Sequence, residues 1–166
     1  YTTPAITLDD IAVLQYTGGT TGVSKGAVLL HRNLVANVLQ SEAWYQPALK
    51  RIPSGEQVVT VCALPLYHIF GFTANMMLSM RMGGCNLLLL NARDIPAVLK
   101  ELSQHEFHSL PAVNTLFRAL ANHPDFNRVD WSHLKLSVGG GMAVQQATAK
   151  MWLEKTGCAI CEGYGL

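Results

Sequence analysis

Short, unbroken apolar runs that alternate with stretches of helical spacing constrain this chain more than any other feature. Ile11–Tyr16 is such a run, and residues 58–63, 87–90, 107–110, 134–138 and 158–162 repeat it. Between them, residues 31–45 carry Leu34, Val35, Val38 and Leu39 at the spacing of one helix face, and residues 69–80 predict a buried helix. Pro47, Pro53, Ser54 and Gly55 predict a break before the strand at 58–63. Asp94 predicts the cap of a helix through about Gln104, with Pro96 in its first turn, and Asn114 the cap of another to about Asn122. Residues 144–155 form the last helical stretch. A strand that is apolar on both sides must be covered on both sides. The alternation therefore predicts an α/β fold, a mostly parallel sheet with helices on both faces. Ligands of such sheets bind beyond the carboxyl ends of the strands, where this chain places glycine-rich turns.

Composition narrows the class. At 166 residues with 49% apolar content, the chain has the size of one domain and enough apolar mass for a core, which excludes intrinsic disorder. Charged residues make up 14%, against about 25% in typical domains. A net charge of +1 offers no footprint for nucleic acid or an anionic membrane, and so sparse a surface is expected to be partly covered. Four cysteines, Cys62, Cys85, Cys158 and Cys161, are too few for a disulfide scaffold, and three lie in apolar runs as small hydrophobes. Residues 57–80 carry no formal charge, but Pro65, Tyr67, His68, Gly71 and Asn75 make them a strand, turn and helix rather than a membrane span. No signal peptide is visible, so the expected setting is soluble and cytoplasmic.

The most specific motif is Tyr16-Thr17-Gly18-Gly19-Thr20-Thr21-Gly22-Val23-Ser24-Lys25-Gly26. Its glycines let backbone N–H groups close on an anion, Thr17, Thr20, Thr21 and Ser24 add hydroxyls, and Lys25 adds a point charge. This is the chemistry of a phosphate cradle, though not the common P-loop, because Val23 and Ser24 separate Gly22 from Lys25. Three further elements are less specific. His68, in Leu64-Pro65-Leu66-Tyr67-His68-Ile69-Phe70, is either a satisfied histidine near a helix start or a site residue. Gly139, Gly140 and Gly141 either admit a flat ligand against bare backbone or make a tight strand-to-helix turn. Tyr164, between Gly163 and Gly165, either stacks on a base or belongs to a turn. Cys158 and Cys161 have metal-knuckle spacing without a second pair, so they are expected in the core. His105 and His108 are expected to be solvated, Met76, Met77, Met80 and Met82 to pack a helix core or tunnel wall, and Trp44, Trp131 and Trp152 to be isolated packing residues.

Residues 16–26 resemble the signature loop of the adenylate-forming superfamily, which includes acyl-CoA synthetases, peptide-synthetase adenylation domains and luciferases. The Pro65-Leu66-Tyr67-His68 segment, the Gly139-Gly140-Gly141 turn and the terminal Gly163-Tyr164-Gly165-Leu166 follow in that family's order. Residues 16–23, 91–96 and 139–145 resemble bacterial long-chain fatty-acid–CoA ligases more closely. The resemblance implies activation of a fatty acid with ATP and Mg²⁺, giving an acyl adenylate and pyrophosphate, followed by transfer to coenzyme A. It implies that Thr17, Gly18, Gly19, Thr20, Thr21, Gly22, Ser24 and Lys25 grip phosphates, with Lys25 as counter-charge. Thr17 would also hold Mg²⁺, with a glutamate beyond the C-terminus. It further implies an adenine pocket of Gly139, Gly140, Gly141, Gly163, Tyr164 and Gly165, and an acyl pocket at His68 and Phe70, with Lys25 and His68 the catalytic pair.

Gly18 replaces a Ser or Thr common in that family, and Ser24 replaces a Pro, so the loop should be less rigid. The resemblance makes residues 1–166 a single incomplete domain, an internal piece of a large N-terminal domain whose catalytic-lysine partner domain lies in the missing remainder of the polypeptide. Such a piece is expected to be inactive alone and prone to self-association. The whole enzyme is expected in the cytoplasm, with peripheral contact to the inner membrane left open. The rival readings are an adenylating ligase for a short-chain or aryl acid, and a non-catalytic nucleotide-binding or assembly module.

Overall fold

The computed structural model describes residue 2, residues 4–16 and residues 25–165. Strand β1 (Ile11–Tyr16) pairs antiparallel with β2 (Gly26–Leu30), with Tyr16 opposite Gly26. This hairpin departs from the parallel pattern predicted for the apolar runs. Ile11 and Tyr16 are more than half exposed.

Helix α1 (His31–Leu49) follows without a break. Asn33 Oδ1 accepts the N–H of Leu30 at 2.9 Å, which satisfies one donor at the helix start. Pro47 was expected to break the chain, yet it lies within the last turn. The backbone then closes through Lys50 N–H to Gln46 O and Ile52 N–H to Leu49 O, each at 3.0 Å.

A five-stranded parallel sheet carries the rest, in the order β4-β3-β5-β6-β7. Its strands are β3 (Val59–Cys62), β4 (Cys85–Leu88), β5 (Ser109–Ala112), β6 (Leu136–Gly139) and β7 (Ile160–Glu162). The order reverses between β3 and β5, the arrangement that opens a crevice at the carboxyl ends. Helices α3 (Ile95–Leu102), α4 (Asn114–Ala121) and α5 (Gln146–Thr156) cover one face. On the other lie α1 and the helix after β3, a π-helical stretch (Gly71–Met77) continuing into α2 (Leu78–Met82). The α/β expectation, a mostly parallel sheet covered on both faces, holds.

Each face has its own apolar cluster. The larger contains Val61, Leu99, Leu110, Phe117, Leu120 and Trp152, and the smaller Val38, Tyr45, Leu78, Leu136 and Val138. Burying one such aliphatic side chain is worth about 1.5–3 kcal/mol. Trp131 and Trp152 are not isolated, as their spacing suggested. Their rings meet at 5.1 Å, and Phe126 stacks on Trp131 at 4.7 Å. Both indoles are satisfied, Trp152 Nε1 donating to Ser137 Oγ at 3.0 Å and Trp131 Nε1 to Phe126 O at 3.1 Å. Cys62 and Cys158 are buried, and desolvation pushes both thiols up.

Several boundaries differ from expectation for physical reasons. The run at 87–90 is displaced to Cys85–Leu88, because Cys85 N–H donates to Val58 O at 2.8 Å and sets the register against β3. As an edge strand it is not the buried strand expected; Cys85 and Leu88 are exposed. The run at 107–110 becomes Ser109–Ala112, because the strand passes through Pro111 rather than stopping before it. Asp94 caps α3 as expected, its Oδ1 accepting Ala97 N–H at 3.1 Å. Asn114 does not cap α4. Its side chain reaches across to accept Gln145 N–H at 3.0 Å, and Val113 occupies the cap position. Met80 is exposed, so the methionines do not form one buried wall.

Candidate functional site

The carboxyl ends of β6 and β7, the segment after β3 and one face of α1 line a cavity of about 710 Å³. Its floor is the turn after β6. Gly140 is buried against Phe70, and a Cβ there would stand 2.7 Å from the Phe70 ring, so only bare backbone fits. Gly141 has φ +76, a left-handed conformation natural to glycine. Beyond β7, Gly163 N–H donates to Gly139 O at 2.7 Å, which ties the two glycine turns together. Tyr164 then projects with 93% of its surface exposed at the cavity rim.

The opposite wall comes from the segment after β3. His68 N–H donates to Pro65 O at 3.0 Å, and Phe72 N–H to His68 O at 2.9 Å. His68 Nδ1 accepts Phe70 N–H at 3.2 Å, so in the neutral ring Nε2 carries the proton and can act as a donor. His68 is exposed and lines the cavity beside Ile69, Phe70, Thr73 and Ala74.

Helix α1 supplies the third wall, which the sequence reading missed. Asn33, Asn37, Gln40, Ser41 and Trp44 face the cavity at helical spacing, while Leu34, Val38 and Tyr45 anchor the helix to the sheet. The apolar residues of α1 carry its helical periodicity, and the polar stripe beside them is the sequence signal for this wall. Val35 and Leu39, expected with the apolar face, are about half exposed.

The structure thus gathers His68, Phe70, Gly140, Gly141, Gly163, Tyr164 and Gly165 around one cavity. Gly139 stands behind it, within β6, where a Cβ would meet Val144 at 2.4 Å. Lys25 is exposed immediately before β2. Thr17, Gly18, Gly19, Thr20, Thr21, Gly22 and Ser24 lie outside the described residues.

A second cluster lies near the amino ends of β3 and β5. His108, expected to be solvated, is buried; its Nδ1 accepts Val59 N–H at 3.0 Å and its Nε2 lies 2.8 Å from Glu56 Oε1. His105 is exposed and pairs with Glu101 at 3.2 Å. Glu56, His108 and His133 bring ligand atoms within 4.8 Å of one another. The Val59 bond places the His108 proton on Nε2, where it is donated to Glu56, so that nitrogen has no lone pair for a metal. No helix among the described residues is long and apolar enough to cross a membrane.

The architecture has relatives. A long-chain-fatty-acid–CoA ligase of Escherichia coli O6:H1 is 53% identical over the whole chain, and one of Bacillus subtilis is 35% identical over 95% of it. The chain spans 29% and 27% of the lengths of these relatives. Among solved structures, ATP-bound MatB from Rhodopseudomonas palustris superposes with a TM-score of 0.82 at 29% identity, over 100% of this chain and 31% of that one. Glycine turns at the ends of parallel strands, a shared fold with an ATP-bound protein and a match to the AMP-binding enzyme family over residues 1–166 all agree: this chain belongs to the AMP-binding enzyme family.

Proposed function

We propose that the full-length protein activates a long-chain fatty acid with ATP and transfers it to coenzyme A. The observation that carries this reading is the single cavity at the carboxyl ends of β6 and β7, where a bare glycine floor, an exposed aromatic and a donor histidine meet. In this reading the adenine lies beside the exposed Gly141, with Tyr164 available to stack on it, while Phe70 already covers Gly140. The acid carboxylate attacks the α-phosphorus of ATP, and the bond to pyrophosphate breaks. The coenzyme A thiol then attacks the acyl carbon, gives up its proton, and AMP leaves.

Both steps need charge stabilisation rather than a protein nucleophile. His68 Nε2–H is the donor toward the carboxylate oxygen, its tautomer held by the Phe70 N–H. Lys25 and the hydroxyls and backbone of residues 17–24 are assigned to the phosphates. Mg²⁺, when bound, neutralises phosphate oxygens; Thr17 is its proposed ligand. The Escherichia coli relative, at 53% identity, supports a fatty acid as substrate.

Acid-dependent exchange of labelled pyrophosphate into ATP by the full-length protein tests the reading across a series of chain lengths. Each methylene buried in an apolar tunnel contributes about 0.8 kcal/mol, so exchange should improve steadily toward acids of about twelve carbons and beyond. A preference for short or aryl acids would overturn the long-chain assignment. Absence of exchange with every acid in the series would leave a nucleotide-binding module without chemistry.

A further inference from the structure

The central strands β3 and β5 contain a break in their ladder that the packed core alone does not explain. Gly140 N–H donates to Ala112 O at 3.2 Å, so the even-numbered end of β5 faces β6 and Pro111 faces β3. Thr60 stands opposite Ser109, but Pro111 has no N–H to continue the pairing. The Val61 carbonyl is taken instead by a side chain: Asn75 Nδ2 donates to it at 3.0 Å. Asn75 has no exposed surface, and its Oδ1 meets no donor among the described residues. An asparagine buried with half its amide unmatched is costly, which marks the Val61 bond as the reason for its place.

Asn75 lies inside the π-helical stretch Gly71–Met77. This stretch joins the cavity wall at His68, Phe70, Thr73 and Ala74 to the buried anchors Leu78 and Ser79. A π turn holds one residue more than an α turn, and relaxing it would rotate the wall by about 100° against those anchors. Two contacts flank the same turn. Thr73 Oγ1 donates to Ile69 O at 2.8 Å, and Asn86 Nδ2 to Asn75 O at 3.3 Å.

We propose that Asn75 is a positioning residue for the acid-binding wall: its amide replaces the N–H that Pro111 lacks, and so holds the π-helical register that aims His68 and Phe70 into the cavity. The proposal rests on the acid-activating reading of that cavity.

The test is a rescue experiment in the full-length protein. Asn75→Leu should raise KM for the activated acid about tenfold and leave KM for ATP within about twofold. Pro111→Ala returns a strand N–H facing Val61, so the double variant should recover most of that loss. Unchanged KM in Asn75→Leu, equal rises for acid and ATP, or no recovery in the double variant would each overturn the proposal. Should Asn75→Leu alone fail to fold, soluble double variant supports the proposal and insoluble double variant overturns it. If the wild type activates no acid, the functional reading fails by itself, and amide hydrogen exchange then decides the positioning role. Residues 71–77 should exchange faster in Asn75→Leu and return toward wild type in the double variant; exchange unaffected by either change overturns it.

Discussion

Tyr45 belongs at once to the smaller core cluster and to the cavity wall. Burial, with a smaller contribution from Cys161, pushes its phenol above its ordinary value of 10.0. The fold accepts the neutral phenol and resists the phenolate. Its contribution to stability is therefore whole below pH 10 and is lost as the pH rises above that value. Melting temperatures measured from about pH 8 to about pH 11 should fall more steeply in wild type than in Tyr45→Phe. Parallel falls would show that Tyr45 does not carry the alkaline limb. His68 shows how differently two histidines can be used in one chain. Its Nδ1 accepts a local N–H and the exposed residue lines the cavity, whereas both nitrogens of His108 are spent on Val59 and Glu56. The residues around His68 leave open both a satisfied histidine and a site residue, and only the family resemblance implies the site role; His108, expected to be solvated, is buried. Nothing local to residue 108 indicates that Glu56 lies beside it.

Among the elements, α3 was the most legible. Its cap and its proline were both visible, because each acts over one turn. Asp94→Ala is expected to cost about 1 kcal/mol in denaturant unfolding, and Asp94→Asn to cost much less. Equal losses would mean that the carboxylate acts through something other than the Ala97 N–H. The π-helical stretch and the strand through Pro111 were not legible. Proline normally ends a central strand, and it is tolerated here because its nitrogen faces the point where β3 and β5 part. Asn75 completes the arrangement from 14 residues beyond Val61, a distance over which periodicity carries no information. The polar stripe of α1 is an intermediate case. Its spacing was in the sequence, but only the cavity shows that the stripe does not simply face solvent.

For the whole molecule, the low charge content meets an unusual distribution of apolar surface. Ile11, Leu14, Tyr16 and Val28 on the hairpin, and Leu88 and Leu90 beside edge strand β4, are each more than half exposed. Among the described residues, nothing pairs with the outer edges of strands β4 and β7 of the five-stranded sheet. The 166-residue chain in isolation is therefore expected to self-associate, with a sedimentation coefficient that rises with concentration; a concentration-independent monomer would contradict this. The amino-acid sequence by itself determined the α/β class and most helices and strands, because propensity, capping and apolar runs act over a few neighbours. Only the tertiary structure decided which strand neighbours which, that β1 leaves the parallel sheet, and that His68, Tyr164 and the α1 polar stripe share one cavity. Those outcomes depend on contacts between residues far apart in the chain, whose energies appear only once the sheet has closed and its partners are buried.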